Sequence, residues 1–176
     1  MAEKQRPGLC PPGTQELPRK DAVAGSDAGC AGAAGRVILG IDPGSSTGLA
    51  IFRAGKLVEL RTVEPAGIEA QIIAIKPCRV VFEDSRLQSH TWATAKAMSR
   101  AAAVKIARNV GQIDAWCSLV TAICAKYSIP AHGISPKSKG AKTTAEQFEK
   151  LTGWTMASNQ HGRDAAMCAW AYRGAK

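Results

Sequence analysis

The sequence lacks the cysteine spacing that a structural zinc site needs. Its six cysteines, Cys10, Cys30, Cys78, Cys117, Cys124 and Cys168, form no Cys-x-x-Cys pair, which argues against fingers and ribbons. Cys117, Cys124 and Cys168 fall in apolar helical stretches, where a free thiol behaves as a small hydrophobe. Such usage fits a reducing cytoplasm. No apolar run reaches the roughly 18 residues of a membrane span, and the first residues hold no apolar secretory h-region. A cytoplasmic protein without a membrane partner is expected.

Acids are scarce in long stretches. None lies between Asp84 and Asp114, where Arg86, Lys96, Arg100, Lys105 and Arg108 stand. None lies between Asp114 and Glu146, where Lys126, Lys137, Lys139 and Lys142 stand. The formal net charge is +9, and residues 1 to 35 cancel to zero, so residues 36 to 176 carry the whole excess. A basic surface broken by a few isolated acids suits a polyanionic partner, nucleic acid above all.

Residues 1 to 35 are rich in Gly, Pro, Ala and charge and poor in large apolar residues, and they read as a disordered arm. One domain is expected over 36 to 176, long enough to bury roughly two-thirds of its unfolded surface. Its first element is the buried strand Val37 to Ile41. A glycine-rich turn and a hairpin through Ala54-Gly55 follow. A short helix is expected from Gly67 to Ile75, closed by Pro77, and a second buried strand from Cys78 to Phe82. Ala93, Ala97, Ala101, Val104 and Ala107 recur at helical spacing, so 91 to 126 reads as helix with an apolar face continued by Ile113, Trp116, Val120, Ile123 and Cys124. A strand over Ile129 to Ile134 and a basic loop over 135 to 142 come next. Thr143 to Glu146 reads as a capping box with Thr143 as the cap, opening a helix that Gly153 stops. A last helix is expected from Gly162 to Tyr172. The order β-β-β-α-β-α-β-α-α implies an α/β sheet with helices packed on it.

Three acids sit where stability alone would not put them. Asp42 and Glu83 each follow an apolar strand, and Asp164 opens an otherwise apolar helix. A carboxylate at a core edge costs several kcal/mol unless it is paired or bound to a cation. Carboxylates on adjacent strands can hold Mg²⁺ for phosphodiester hydrolysis. His161, one helical turn before Asp164, adds a nitrogen ligand or a proton carrier. Asp84 competes with Glu83 for the role. The glycine loop Asp42 to Gly48 lacks the Gly-Lys-Ser/Thr of a Walker loop and is followed by a strand and not a helix; related loops occur in sugar kinases and actin-like ATPases, the main rival enzyme class, but about 140 ordered residues are too few for their second subdomain, so no nucleotide cofactor is expected.

The run Ile38-Leu39-Gly40-Ile41-Asp42-Pro43-Gly44-Ser45-Ser46-Thr47-Gly48 resembles the first motif of the RuvC family of Holliday-junction resolvases. Val80-Val81-Phe82-Glu83 resembles the family's second acidic strand. Asn109-Val110-Gly111-Gln112 resembles its helical Leu-Gly-Gln segment, and His161-Gly162-Arg163-Asp164-Ala165-Ala166 its C-terminal acidic motif. The resemblance spans about residues 36 to 173. It implies a ribonuclease H-like fold, with a central mixed five-stranded sheet and helices on both faces. It implies a homodimer acting on branched DNA, the four-way junction in particular, with Mg²⁺ or in its place Mn²⁺. Asp42, Glu83, His161 and Asp164 would then be the catalytic metal ligands. Lys137 and Lys142 would approach the scissile phosphate, with Lys139 an equal candidate. Arg86, Lys96, Arg100, Lys105 and Arg108 would join these lysines in holding DNA. The segment between Glu83 and Gly111 is longer than the family's usual one, and His90 and Trp92 within it are candidates for stacking on an opened base. The candidate dimer surface is the helix around Ala97 to Gln112. Small diverged members of this kind are often phage-encoded.

Overall fold

A computed structural model describes residues 36–88 and 99–174. The expectations for residues 1 to 35, and those for His90, Trp92 and Lys96, fall outside the described residues.

Five strands form one mixed sheet: β1 (Val37–Asp42), β2 (Thr47–Arg53), β3 (Lys56–Val63), β4 (Arg79–Glu83) and β5 (Ala131–Ile134). Their spatial order is β3-β2-β1-β4-β5. Strands β1, β2 and β3 run antiparallel in turn, while β4 is parallel to both β1 and β5. The β2–β3 turn uses Ala54 and Gly55, both at positive φ (48° and 78°), the geometry of a tight hairpin that follows the twist of its strands. Among the described residues four α-helices join them: α1 (Ile68–Ile75), α2 (Arg100–Lys126), α3 (Ala145–Thr152) and α4 (Gln160–Ala169).

The central strands are apolar without alternation because both sheet faces are covered. On one face Leu39, Ile41, Leu49, Ile51, Val80 and Phe82 pack under Ile68, Ile72 and Ile75 of α1 and Cys117, Val120, Ile123 and Cys124 of α2. On the other face Ile38, Ala50, Phe52, Val81 and Ile134 meet Phe148 of α3 and Ala165, Ala166, Cys168 and Ala169 of α4. Each fully buried Leu, Ile or Phe contributes about 1.5–3 kcal/mol.

Two sequence expectations shift. The cap of α3 is Thr144 and not Thr143: its side chain accepts from the Gln147 backbone N–H, and the Gln147 side chain returns the bond. The capping box closes on glutamine, one residue beyond the expected frame. The last helix starts at Gln160, capped by Asn159, so His161 lies inside its first turn. Ala101, Val104 and Ala107, in the first half of α2, are exposed.

Candidate metal centre at the ends of the central strands

In open α/β sheets, sites form beyond the carboxyl ends of the strands. Here β1 and β4 run side by side, with Ile41 paired to Phe82. The next residues, Asp42 and Glu83, therefore leave the sheet as neighbours. Side chains alternate between faces, so both follow Gly40 and Val81 onto the α4 side. That alternation also separates Glu83 from Asp84. Asp84 points the opposite way, is buried, and accepts from the Arg86 backbone N–H and from Arg86 Nε and Nη2 at 2.7 and 2.8 Å. Arg86 also donates to Ser118 and Thr121 of α2. The Asp84–Arg86 pair thus fastens the end of β4 to α2, and it commits the guanidinium of Arg86 within the chain.

Helix α4 supplies the third acid, and two glycines make room for it. A Cβ on Gly40 would stand 2.2 Å from the Ala165 carbonyl oxygen, and one on Gly48 1.9 Å from that of His161. Only hydrogen fits there, so the helix backbone rests directly on β1 and β2. Gly44, between them in sequence, is different: a Cβ there would meet nothing closer than 3.5 Å. The turn is closed instead by Thr47, whose buried hydroxyl donates to the Gly44 carbonyl at 2.9 Å.

Asp164 is 4% exposed. Its Oδ1 accepts from Gln160 Nε2 at 2.8 Å, and Gln160 Oε1 accepts from Arg163 Nη2 at 2.9 Å. Arg163 also donates to the Thr143 and Ser158 carbonyls, tying the end of the basic loop to the start of α4. His161 stands half-exposed at the mouth, with Nδ1 3.8 Å from Asp42 Oδ2.

The basic loop closes the site from the remaining side. Lys139, its side chain only 10% exposed, sets its ammonium among all three acids: 3.2 Å from Asp42 Oδ1, 3.8 Å from Asp164 Oδ1, and in contact with Glu83 Oε2. Lys137 and Lys142, on either side of it in the chain, are exposed. Burial works against the charge on Lys139, but Asp42 and Glu83 outweigh it and hold the lysine pKa above its ordinary value. Burial raises the Asp42 carboxyl pKa; Lys139 opposes this, and Glu83 and Asp164 reinforce it. Glu83 Oε2 is buried without an aligned hydrogen bond, so its contact with Lys139 is a charge pairing only.

Three carboxylates around one ammonium leave two formal negative charges uncompensated. That excess and a cation already seated among the acids both fit a hard divalent ion. Asp42, Glu83 and Asp164 would hold it, with His161 at the mouth. Three participants were not assigned a part in the site from sequence. Gln160 and Arg163 brace Asp164, which only the helix start reveals. Cys168, four residues after Asp164, shares its helical face; its Sγ lies with Asp42 and Glu83 carboxylate oxygens within a mutual 4.8 Å.

No protein-family model matches the sequence, and no curated protein matches it. Solved structures do. Thermus thermophilus RuvC in complex with a Holliday junction substrate superposes with a TM-score of 0.53 at 18% identity, over 77% of this chain and 90% of that one. The fold is that of RuvC. A second Thermus thermophilus RuvC structure superposes with a TM-score of 0.50 at 17% identity, over 76% and 91% of the two chains. The RuvC-like architecture agrees with the expected ribonuclease H-like class, five-stranded mixed sheet and helices on both faces. Among the described residues no helix is long and apolar enough to cross a membrane.

Proposed function

We propose that the chain is a metal-dependent, structure-selective endodeoxyribonuclease that resolves four-way DNA junctions by paired nicks. The observation that carries this reading is the convergence of Asp42, Glu83 and Asp164 from β1, β4 and α4 in a RuvC-like fold. The basic loop beside them makes DNA the fitting partner.

Asp42, Glu83 and Asp164 would bind Mg²⁺ or Mn²⁺, with His161 as a further ligand or proton carrier. When bound, the metal activates water and stabilises the leaving oxygen of the phosphodiester. The protein's own residues do the rest. Gln160 holds Asp164 by one oxygen and fixes the direction of the other. Asp84 and Arg86 hold the end of β4, and with it Glu83, against α2. Lys137 and Lys142 face solvent beside the site and bind the phosphates flanking the cut. His161, at 3.8 Å from Asp42, is placed to pass a proton between the site and solvent. Lys139, its ammonium against Asp42, Glu83 and Asp164, holds the three acids together.

Two opposite faces of α2 fit the rest of the reading. Arg100, Lys105 and Arg108 are exposed on one, where they can meet DNA. Ile106 and Val110 stand on the other, in line with Ile113 and Cys117 at helical spacing, and Ile106 is 44% exposed. A second copy covering that stripe gives a two-fold homodimer whose symmetry matches that of the junction.

The test is cleavage of a labelled four-way junction beside a linear duplex and a flap, with and without Mg²⁺, comparing the natural chain with Asp42→Asn. Paired symmetric nicks confined to the junction, lost without metal and in the variant, are expected. Equal cutting of every branched substrate would replace the resolvase with a general branch nuclease. Junction binding without any cutting would leave a DNA-binding scaffold.

A further inference from the structure

The carboxylate centre has a sulfur at its floor. Cys168 is 1% exposed, and its thiol makes no hydrogen bond to any described residue. The other described cysteines differ. Cys124 lies in the opposite sheet layer, Cys117 donates to the Glu83 backbone carbonyl at 3.4 Å, and Cys78 is half-buried. The Cys168 sulfur shares its space with carboxylate oxygens of Asp42 and Glu83, all within 4.8 Å of one another. The Glu83 Oε2 atom is buried, and its contact is the Lys139 ammonium. A purely oxygen-preferring ion has no use for this thiol.

We propose that Cys168, Asp42 and Glu83 form a mixed sulfur–oxygen site that takes up thiophilic divalent cations of the zinc, cobalt and cadmium class. The inference rests on the reading of Asp42 and Glu83 as metal ligands. Binding forms a metal–sulfur bond and releases the thiol proton to solvent. Two carboxylates and a thiolate then face a doubly charged ion, and the Lys139 ammonium is left to pair with Asp164. Such an ion occupies the ground that Mg²⁺ needs, so zinc-class ions compete with Mg²⁺ for the centre. Softness favours them: thiolate selects zinc, and carboxylate alone suits magnesium or manganese.

The test uses the full chain, reduced with a thiol-free reductant, and Cd²⁺ as the probe. The readout is the ultraviolet cadmium–thiolate charge-transfer band, with Mn²⁺ binding followed separately by electron paramagnetic resonance. The natural chain should develop a band component saturating at one cadmium per chain. Cys168→Ser and Cys168→Ala should lose that component and bind Cd²⁺ about tenfold more weakly or worse. Mn²⁺ affinity should fall far less in both, which also reports that they are folded. Cys124→Ser should keep the component, and Asp42→Asn should show it only at higher cadmium. A component that survives both Cys168 substitutions overturns the proposal. So does its absence from a natural chain that still binds Mn²⁺, an outcome that leaves the carboxylate metal site standing. Binding of neither ion removes the metal reading of Asp42 and Glu83, and the thiol site with it.

Discussion

Helix α4 lies on the sheet along its length, whereas α2 touches it only with its second half. In α4, Gly162, Asp164, Ala165, Ala166, Cys168 and Ala169 are all buried, and Gly40 and Gly48 let its backbone meet the strands without side chains between. In α2 the buried residues are Cys117, Val120, Ile123 and Cys124; before Val110 every residue but Ala102 and Ala103 is exposed. The helix that carries Asp164 beside the ends of β1 and β4 is fixed by backbone contact. The helix that continues past the sheet keeps an apolar stripe that no described residue of its own chain covers. Rigidity is concentrated where the three acids converge, and exposed apolar surface lies in the first half of α2.

The largest effect should come from filling the space under α4. Gly48→Val puts side-chain carbon where the His161 carbonyl sits, so the helix must lift or tilt. A loss of about 3 kcal/mol or more is expected from overpacking against backbone, together with loss of metal-dependent cleavage. Thermal unfolding and the junction assay check both. Gly44→Ala sharpens the contrast, since its Cβ meets only ordinary contacts; it should leave the melting temperature within the usual surface range, about 0.5 kcal/mol.

Lys139→Met tests the charge balance beneath the same helix. Without the ammonium, three acids face one another with no cation. The chain should lose about 2 kcal/mol in the absence of metal, less than a fully buried pair because Asp42 and Glu83 remain 16% and 22% exposed. Mg²⁺ should restore most of that loss by binding the folded state, and Mn²⁺ affinity should rise. Melting curves with and without Mg²⁺ decide it. A variant equally stable in both conditions would show that Lys139 does not occupy the metal's place.

Arg86→Met should have a smaller effect, about 1–2 kcal/mol, because Asp84 would lose two side-chain hydrogen bonds and keep the one from the residue 86 backbone N–H. Chemical denaturation measures it. The telling comparison is with catalysis: if the Asp84–Arg86 pair positions Glu83, turnover falls while substrate affinity stays.

These contrasts mark what the sequence could and could not carry. The two buried strands, the Ala54-Gly55 hairpin and the element order were legible because periodicity and turn chemistry are local properties. The choice between Glu83 and Asp84 was not, since it depends on which sheet face α4 covers. Lys139 was one of three lysines in a loop, and only the fold shows which one reaches the acids. Cys168 was read as packing, and it is buried in the core under α4; that its sulfur also lies beside Asp42 and Glu83 depends on the fold. The first half of α2 shows a different limit. Spacing identifies an apolar face, and it says nothing about whether the same chain or another one covers it.

The smallest expected effect on the single chain is therefore the most informative about α2. Ile106→Glu replaces a residue already 44% exposed, so monomer stability should change by no more than about 0.5 kcal/mol. If Ile106 and Val110 instead meet their symmetry mates, the same substitution buries two like charges in an apolar interface, and association should fail. Sedimentation velocity over a concentration series separates the cases. Conversion of a dimer to a monomer with an unchanged melting curve at low concentration would place the partner on this stripe. Paired nicking should then decay into single, uncoordinated nicks, because each remaining active site is intact. An unaltered dimer would move the interface elsewhere and leave the exposed half of α2 to DNA alone, where Arg100, Lys105 and Arg108 would have to account for all of its contacts.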